Sequence, residues 1–263
     1  MRVLLIEGDL TTARGLTLFL KSNGAVVDHL DSGEEAIELA RRYDYDLVLL
    51  DLMLPDIEGF DVLRRLRAGR IDTPVLVMST LTRPQAKVKA FGCGADDVIS
   101  KPFDTAELLA RMQAIIRRSK GYAQPTLFIG PIQLKLDVRE VLVNNVPVHL
   151  TGKEYAILEL LVLRRGMVLT KEAFLSHLYG GMDEPEAKII DVFICKLRRK
   201  LSDAGAPSVI GTVWGRGYTV RDPVARPATA PVTAPVTAPM TSSGTGSEVM
   251  AVTNARERAL TAA

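Results

Sequence analysis

The sequence predicts an α/β chain: a doubly wound parallel sheet, a smaller α+β domain after it, and a structureless tail. Three observations predict this. Apolar runs of strand length, RVLLIE, DLVLLD and VLVMS, recur early in the chain with helix-like stretches between them, the pattern of parallel strands buried on both faces. From residue 126 the apolar residues alternate instead, over LFIGPIQLKL and EVLVNNVPVHL, and helical segments follow. From Pro223 the chain is rich in Pro, Ala and Thr, with the near-repeat TAPVTAPVTAPM, a composition unable to bury a core.

RVLLIE reads as the first strand. TTARGLTLFLKSNG reads as a helix with Thr11 or Thr12 as its cap and Asn23-Gly24 as its stop. AVVDHL is the second strand and Ser32 to Arg42 the second helix. DLVLLD precedes a loop with Pro55 and Gly59, then the helix FDVLRRLRAG. Thr73-Pro74 leads into VLVMS, and QAKVKAFG gives a short fourth helix. DDVIS precedes Lys101-Pro102, and TAELLARMQAIIRRS closes the domain with a helix capped by Asp104 or Thr105. Five right-handed βα units over residues 1–118 predict the flavodoxin-like strand order 2-1-3-4-5.

SKGYAQP, residues 119–125, reads as a linker. Residues 126–222 then carry short strands with a turn at Asn144-Asn145. Three helical segments come next, KEYAILELLVLRR, KEAFLSHLYG and EPEAKIIDVFICKLRRKLSDAG, before the closing hairpin VIGTVWGRGYTV. Residues 223–263 are expected to be disordered, with at most a transient helix over 251–260.

Composition narrows the function. The chain has 263 residues, 47% hydrophobic and 24% charged, ordinary for a globular protein with two cores. No apolar stretch approaches the roughly 18 residues of a membrane span, and a strand pattern begins at once, leaving no secretory signal. The cytoplasm is the expected compartment and no membrane partner is expected. Cys93 and Cys195 share no metal-ligand spacing, and Cys93 reads as a buried, reduced thiol. Net charge is +2 but uneven: residues 1–118 carry 16 Lys and Arg against 18 Asp and Glu, residues 119–222 carry 14 against 11. That basic excess points to nucleic acid only if the cations share a face. An enzymatic reading is poor, because His29, His149 and His177 form no constellation and Asp51-Leu52-Met53 lacks paired acids.

In open α/β sheets the ligand crevice lies at the carboxyl ends of the strands. Glu7, Asp51 and Ser79 end three of the apolar runs and Lys101 follows a fifth strand. A carboxylate among an acid, a hydroxyl and a lysine suits phosphoryl capture. In the helix from Glu186 to Leu201, residues Ile190, Ile194, Leu197 and Leu201 fall on one stripe. Lys188, Val192, Cys195 and Arg199 point the opposite way, flanked by Lys196, a face fit for the major groove. The glycine-punctuated hairpin carrying Trp214, Arg216 and Tyr218 suits a duplex backbone or minor groove. Sheet, three helices and hairpin in this order predict a winged helix-turn-helix.

The runs LTGKEYAILELL, TKEAFLSHLYGGMDEPEAKIIDVFICKLRRKL and TVWGRGY resemble the effector domain of OmpR/PhoB-type response regulators. Within that family they are most similar to the cell-cycle regulators of alphaproteobacteria. The resemblance covers roughly residues 1–222 and is densest over 149–222. It implies a sequence-specific transcription regulator of a two-component phosphorelay, dimeric on tandem, A·T-rich double-stranded DNA half-sites of the TTAA type. It implies that Lys188 and Arg198 touch phosphates, that Val192, Phe193 and Lys196 reach bases, that Arg199 belongs to the same DNA-binding set, and that Thr212, Trp214, Arg216 and Tyr218 form the wing contacts. The loop YGGMDEPE, 179–186, matches the loop that meets RNA polymerase; its acids could equally be solvated loop residues.

The first domain then resembles a receiver. The resemblance implies that Asp51 is the phosphoacceptor, served by a histidine kinase or histidine phosphotransferase. It also implies that Mg²⁺ bridges the acids Glu7, Asp9 and Asp51 to the phosphoryl oxygens, while Lys101 and Ser79 bind the phosphoryl group. Three positions depart from the family. Gly8 stands where receivers usually keep a second metal-binding acid, and Asp9 either shifts inward to replace it or caps the following helix. Thr80 stands where relatives keep a very small residue, and Val98 replaces the switch aromatic. Phosphorylation is therefore expected to be weak, altered or dispensable. By the same resemblance, Lys87 pairs with Glu107 and Asp97 with Arg111 across two receivers, around Phe91 and Leu109. The terminal Ala262-Ala263 resembles a signal for an energy-dependent protease. The competing reading is a pseudo-receiver decoy that binds relay partners without controlling genes; the groove face of the helix favours the first.

Overall fold

Five parallel strands, β1 (Arg2–Ile6), β2 (Val26–Leu30), β3 (Leu47–Asp51), β4 (Val75–Ser79) and β5 (Asp97–Ser100), form a sheet in the order β2-β1-β3-β4-β5, the order the sequence predicts. The computed structural model describes residues 1–80, 83–180 and 184–221. The expectations for residues 223–263, for Ala262-Ala263 and for positions 181–183 of the 179–186 loop lie outside them. β1, β3 and β4 are buried along their whole length. Alternate residues feed opposite cores. Val3, Leu5, Leu47 and Leu49 pack under α1 (Leu10–Ser22) and α5 (Thr105–Ser119). Leu4, Ile6, Val48 and Leu50 pack under α2 (Gly33–Arg42), α3 (Gly59–Ala68) and α4 (Pro84–Gly92).

The helix caps correct one expectation. Neither Thr11 nor Thr12 caps α1; Asp9 does, its carboxylate accepting the Thr12 amide at 2.7 Å. An aspartate at this position reaches an amide of the first turn that has no partner inside the helix. Asp104 caps α5 through the Ala106 and Glu107 amides. Ser32 caps α2, and Asp56 from the β3–α3 loop reinforces it, accepting from the Ser32 hydroxyl and the Gly33 and Glu34 amides. Burial pushes Asp56 up, but those donors prevail and hold it well below the usual carboxylate range.

The second lobe opens with an antiparallel meander, β6 (Thr126–Ile129), β7 (Ile132–Lys135), β8 (Glu140–Val143) and β9 (Val146–Pro147). Asn144 and Asn145 both take positive φ, 51° and 65°, as a two-residue hairpin turn demands. Then come α6 (Gly152–Leu163), α7 (Lys171–Tyr179), α8 (Lys188–Asp203) and the hairpin β10 (Ile210–Val213) and β11 (Gly217–Val220). α8 begins at Lys188, two residues after the expected Glu186. A capping box opens α6: Thr151 accepts the Glu154 amide while Glu154 accepts the Thr151 amide. Glu154 is buried, and Lys200 on α8 pairs with it at 2.7 Å, tying the first helix of the lobe to the third. One core joins Ile157, Phe174, Ile190, Ile194, Leu197 and Tyr218.

Two glycines permit close backbone approaches. A Cβ at Gly217, at φ 130°, would lie 1.9 Å from the Leu169 carbonyl oxygen, where Leu169 and Tyr218 exchange backbone bonds of 2.8 and 2.9 Å. A Cβ at Gly59 would lie 2.5 Å from the Asp51 carbonyl oxygen and 2.7 Å from Leu52 Cα. Gly15 in α1 has nothing within 4 Å of its Cβ position. In urea denaturation Gly59→Ala is therefore expected to lose about 1–3 kcal/mol by overpacking. Gly15→Ala is expected to gain about 0.5–1 kcal/mol from helix propensity.

Candidate functional site

The carboxyl ends of the sheet gather the four predicted pocket residues. Glu7 follows β1, Asp51 ends β3, Ser79 ends β4, and Lys101 follows β5. The Lys101 ammonium donates to Glu7 Oε2 at 2.5 Å and to Asp51 Oδ2 at 2.8 Å, while its backbone amide donates to the Ser79 carbonyl at 2.8 Å. Glu7, Asp51 and Ser79 are all buried. Burial pushes Glu7 above its ordinary value; the bond from Lys101 opposes this and the Asp51 charge adds to it. Burial works to lower Lys101, but the bonds to Asp51 and Glu7 prevail and hold it up, so it stays charged. Asp51 is thus a buried carboxylate at a strand end with a fixed ammonium as its counter-charge.

The departures are structural. Asp9 does not join Glu7 and Asp51: it is exposed, its carboxylate is committed to the α1 amino end, and only its amide reaches Glu7 Oε1, at 3.2 Å. Among the described residues no group of three or more His, Cys, Asp or Glu is placed to hold a metal ion. The expected trio of Glu7, Asp9 and Asp51 is thus not assembled, because the free amides of the helix amino end claim Asp9. Magnesium needs oxygen donors and keeps several waters. Glu7 and Asp51 therefore fit a largely hydrated ion held by two carboxylates. A side chain at position 8 would be a tight fit: a Cβ there would sit 3.3 Å from Pro55 Cδ, which must give by a few tenths of an ångström, and 3.6 Å from the Met53 carbonyl oxygen. Thr80 is exposed, its hydroxyl 3.8 Å from Met53 Sδ. Val98 is half-buried against the core under α2, α3 and α4.

On α8, Ile190, Ile194, Leu197 and Leu201 are buried, and Lys188, Val192, Cys195, Lys196 and Arg199 are exposed. Phe193 is half-buried and packs on the core of its own lobe, one helical step off the exposed stripe. Arg198 donates to the Ile210 carbonyl (3.1 and 2.7 Å) and to the Thr212 hydroxyl (2.8 Å), fastening α8 to β10. At the hairpin tip Trp214 is 91% exposed, with Arg216 and Thr212 exposed beside it.

Tyr218 departs from its expected place in the wing surface. It is buried, edge-on to Phe174, and its hydroxyl donates to Asp191 at 2.6 Å. Lys171 also binds Asp191, at 2.7 Å. The Lys171 bond, then the Tyr218 bond, hold Asp191 below its ordinary value; burial, then Asp191, push Tyr218 up to about 12. This Lys171–Asp191–Tyr218 chain, which sequence reasoning missed, joins α7, α8 and the hairpin. Sequence spacing carries little signal for it, because its members are 20 and 27 residues apart.

On α4, β5 and α5, Asp97 and Arg111 meet within one chain at 2.8 Å, and Arg111 also pairs with Glu107 at 2.8 Å. Asp97 and Arg111 can meet within one chain because β5 and α5 are neighbours. Phe91 is 49% and Val88 70% exposed, with Leu109 and Lys87 half-buried.

Comparison with known proteins joins these two sites. A family described as response regulator receiver domain matches residues 3–113, and one described as transcriptional regulatory protein, C terminal, matches residues 145–220. The cell cycle transcriptional regulator CtrA of Caulobacter vibrioides is 58% identical over 224 residues, 85% of this chain and 97% of that protein. The cell cycle response regulator CtrA of Brucella anthropi is 56% identical over 226 residues, 86% of this chain and 97% of that protein. Among solved structures, the response regulator DrrB of Thermotoga maritima aligns with a TM-score of 0.41 at 27% identity, covering 83% of this chain and 98% of that one. No helix among the described residues is long and apolar enough to cross a membrane. With both domains matched in order and identity to CtrA sustained across them, the chain belongs to the OmpR/PhoB-type response regulators and, within them, to the CtrA cell-cycle transcription regulators.

Proposed function

We propose that this regulator reads tandem A·T-rich half-sites of the TTAA type as a dimer, with its DNA reader intact and its phosphoryl input weakened. The observation that carries the reading is the two-sided α8: one face wholly buried, the other a stripe of Lys188, Val192, Lys196 and Arg199 open to a duplex. Val192 and Lys196 reach base edges, Lys188 and Arg199 the phosphates, and Thr212, Trp214 and Arg216 follow the backbone or minor groove. Arg198 and Tyr218 position the helix and hairpin. The 179–186 loop meets RNA polymerase, and Phe91, Leu109 and Lys87 belong to the receiver dimer face.

Asp51 is the phosphoacceptor for a histidine kinase or phosphotransferase, with Lys101 and Ser79 on the phosphoryl group. Glu7 and Asp51 hold Mg²⁺ without the carboxylate that Gly8 lacks, so phosphorylation is slow. Val98 offers no ring to carry the signal to the dimer face. Abundance, set by an energy-dependent protease acting on Ala262-Ala263, then controls activity more than phosphate does.

Two measurements test this. Mass spectrometry after incubation with acetyl phosphate and Mg²⁺ is expected to show slow labelling of Asp51, none in Asp51→Ala, and labelling about tenfold or more faster in Gly8→Asp. Equal rates in the parent and Gly8→Asp would sink the weakened-input reading. In salt-titrated gel shifts, Val192→Ala and Lys196→Ala are expected to lose about 1–3 kcal/mol of discrimination between matched and mismatched half-sites. Lys188→Ala is expected to weaken all sequences alike and lower the salt slope by about one. A protein that binds every duplex equally would be the signalling decoy instead.

A further inference from the structure

A buried junction joins the amino ends of the receiver strands to α7. Arg2, the first residue of β1, is 3% exposed. Its guanidinium pairs with Asp28 on β2 at 2.8 Å and crosses to the second lobe, donating to Ser176 Oγ at 2.5 Å and to the Gly180 carbonyl at 3.2 Å. Asp46, just before β3, accepts the Arg2 amide at 2.7 Å and lies 3.4 Å from Nδ1 of His177, the residue after Ser176. Asp46 and His177 also line a cavity with about 30 Å³ of room for water centres. Ile116, Leu160 and Leu163 make its apolar wall, and Arg117 reaches it from the last turn of α5.

Two nitrogens at this cavity lack a protein partner. Arg117 Nε and His177 Nε2 are both buried and neither makes a hydrogen bond. Among the described residues they are the only buried side-chain nitrogens or oxygens left in that condition, and the two residues line the same cavity. The His177 side chain is itself 9% exposed, so open solvent does not serve it. Buried polar groups in folded proteins are almost always hydrogen-bonded, because leaving one unpaired forfeits its hydration for nothing. Two such groups at one cavity point to an occupant that pairs with both.

We infer that the cavity is a hydration site, in which one or two ordered water molecules bridge Arg117 Nε of the receiver to His177 Nε2 of the second lobe. The volume fits: a water needs roughly 10–15 Å³ of such room, so the cavity takes about two and no organic ligand. The donor and acceptor roles fit as well. Burial holds His177 far below its ordinary 6.5, at about 3, so near pH 7 the ring is neutral and carries one proton. The Asp46 carboxylate beside Nδ1 keeps that proton there, which leaves Nε2 an acceptor. Arg117 Nε–H is a donor at every working pH. The occupant must therefore accept from one nitrogen and donate to the other, as water does. Lys120 and Arg164 also line the cavity and Asp46 and Glu159 oppose them, so charge alone would not exclude a small anion. The acceptor at Nε2 does, because a halide has no proton to give it. The bridge fastens the carboxyl end of α5 to α7 beside the Asp46–His177 pair.

Nitrogen-15 NMR on the full chain, labelled at histidine, tests the site. The chain has three histidines, so His29→Gln and His149→Gln assign the ring signals and leave those of His177 by elimination. At pH 7.5 the His177 Nδ1 signal is expected in the protonated range and Nε2 in the unprotonated, hydrogen-bonded range. A cross-relaxation peak is expected between a His177 ring proton and long-lived water. Arg117→Met is expected to abolish that peak and move Nε2 toward the unbonded value, with the His29 and His149 signals in place. Titration of the parent chain with sodium bromide needs no cavity variant and is expected to leave Nε2 where it is. A proton on Nε2, or a saturating shift of Nε2 with bromide, would overturn the water assignment in favour of an anion. A His177 ring without a water peak would overturn the hydration site itself. A peak and an Nε2 signal unchanged in folded Arg117→Met would overturn the bridge between the lobes.

Discussion

Lys101 is the constraint on which the receiver end depends. Two carboxylates, Glu7 and Asp51, are buried side by side, and removing such charges from water costs several kcal/mol each. One ammonium within 2.5 and 2.8 Å of them makes the arrangement stable. Lys101 is where it is because β5 pairs with β4, and the amide following β5 is bonded to Ser79 at the end of β4. Sheet order and the charge balance of Glu7, Asp51 and Lys101 are therefore one problem with one solution. Any cation entering the pocket must share Glu7 and Asp51 with Lys101, and Gly8 gives it no third carboxylate.

The DNA-reading lobe is held by separate charges. Glu154–Lys200 and Lys171–Asp191–Tyr218 lock three helices and a hairpin into one body, and Arg198 fixes the hairpin to α8. None of these contacts involves the phosphoryl pocket. On the receiver side, β1 runs from Arg2 to the residue before Glu7, and β3 follows Asp46 and ends on Asp51. Five-residue strands at about 3.3 Å per residue put Arg2 and Asp46 roughly 16 Å from Glu7 and Asp51, at opposite ends of the sheet.

What could be read in the sequence follows the range of each interaction. Strand order was legible because β1, β3 and β4 each carry an apolar run of strand length that leads into a polar residue, Glu7, Asp51 or Ser79. The faces of α8 were legible because helical period alone separates Ile190 from Val192. The cap of α1 stayed open among Asp9, Thr11 and Thr12 because all carry capping side chains, and backbone geometry selects Asp9. Tyr218 read as a wing contact because a hairpin aromatic beside Arg216 looks exposed until Asp191, on another element, claims its hydroxyl. Arg2 carried no signal, since its partners Ser176 and Gly180 lie more than 170 residues away.

The central claim is that DNA reading does not wait on phosphate. Trp214, the single tryptophan of the chain, stands exposed at the hairpin tip and reports duplex contact by its own fluorescence. The decisive measurement is a titration of a tandem half-site duplex into the unmodified protein, repeated after acetyl phosphate and Mg²⁺ treatment. Dissociation constants within about threefold of each other, roughly 0.6 kcal/mol at RT ≈ 0.59 kcal/mol, are the expected result. Binding that emerges only after Asp51 is phosphorylated would contradict the account.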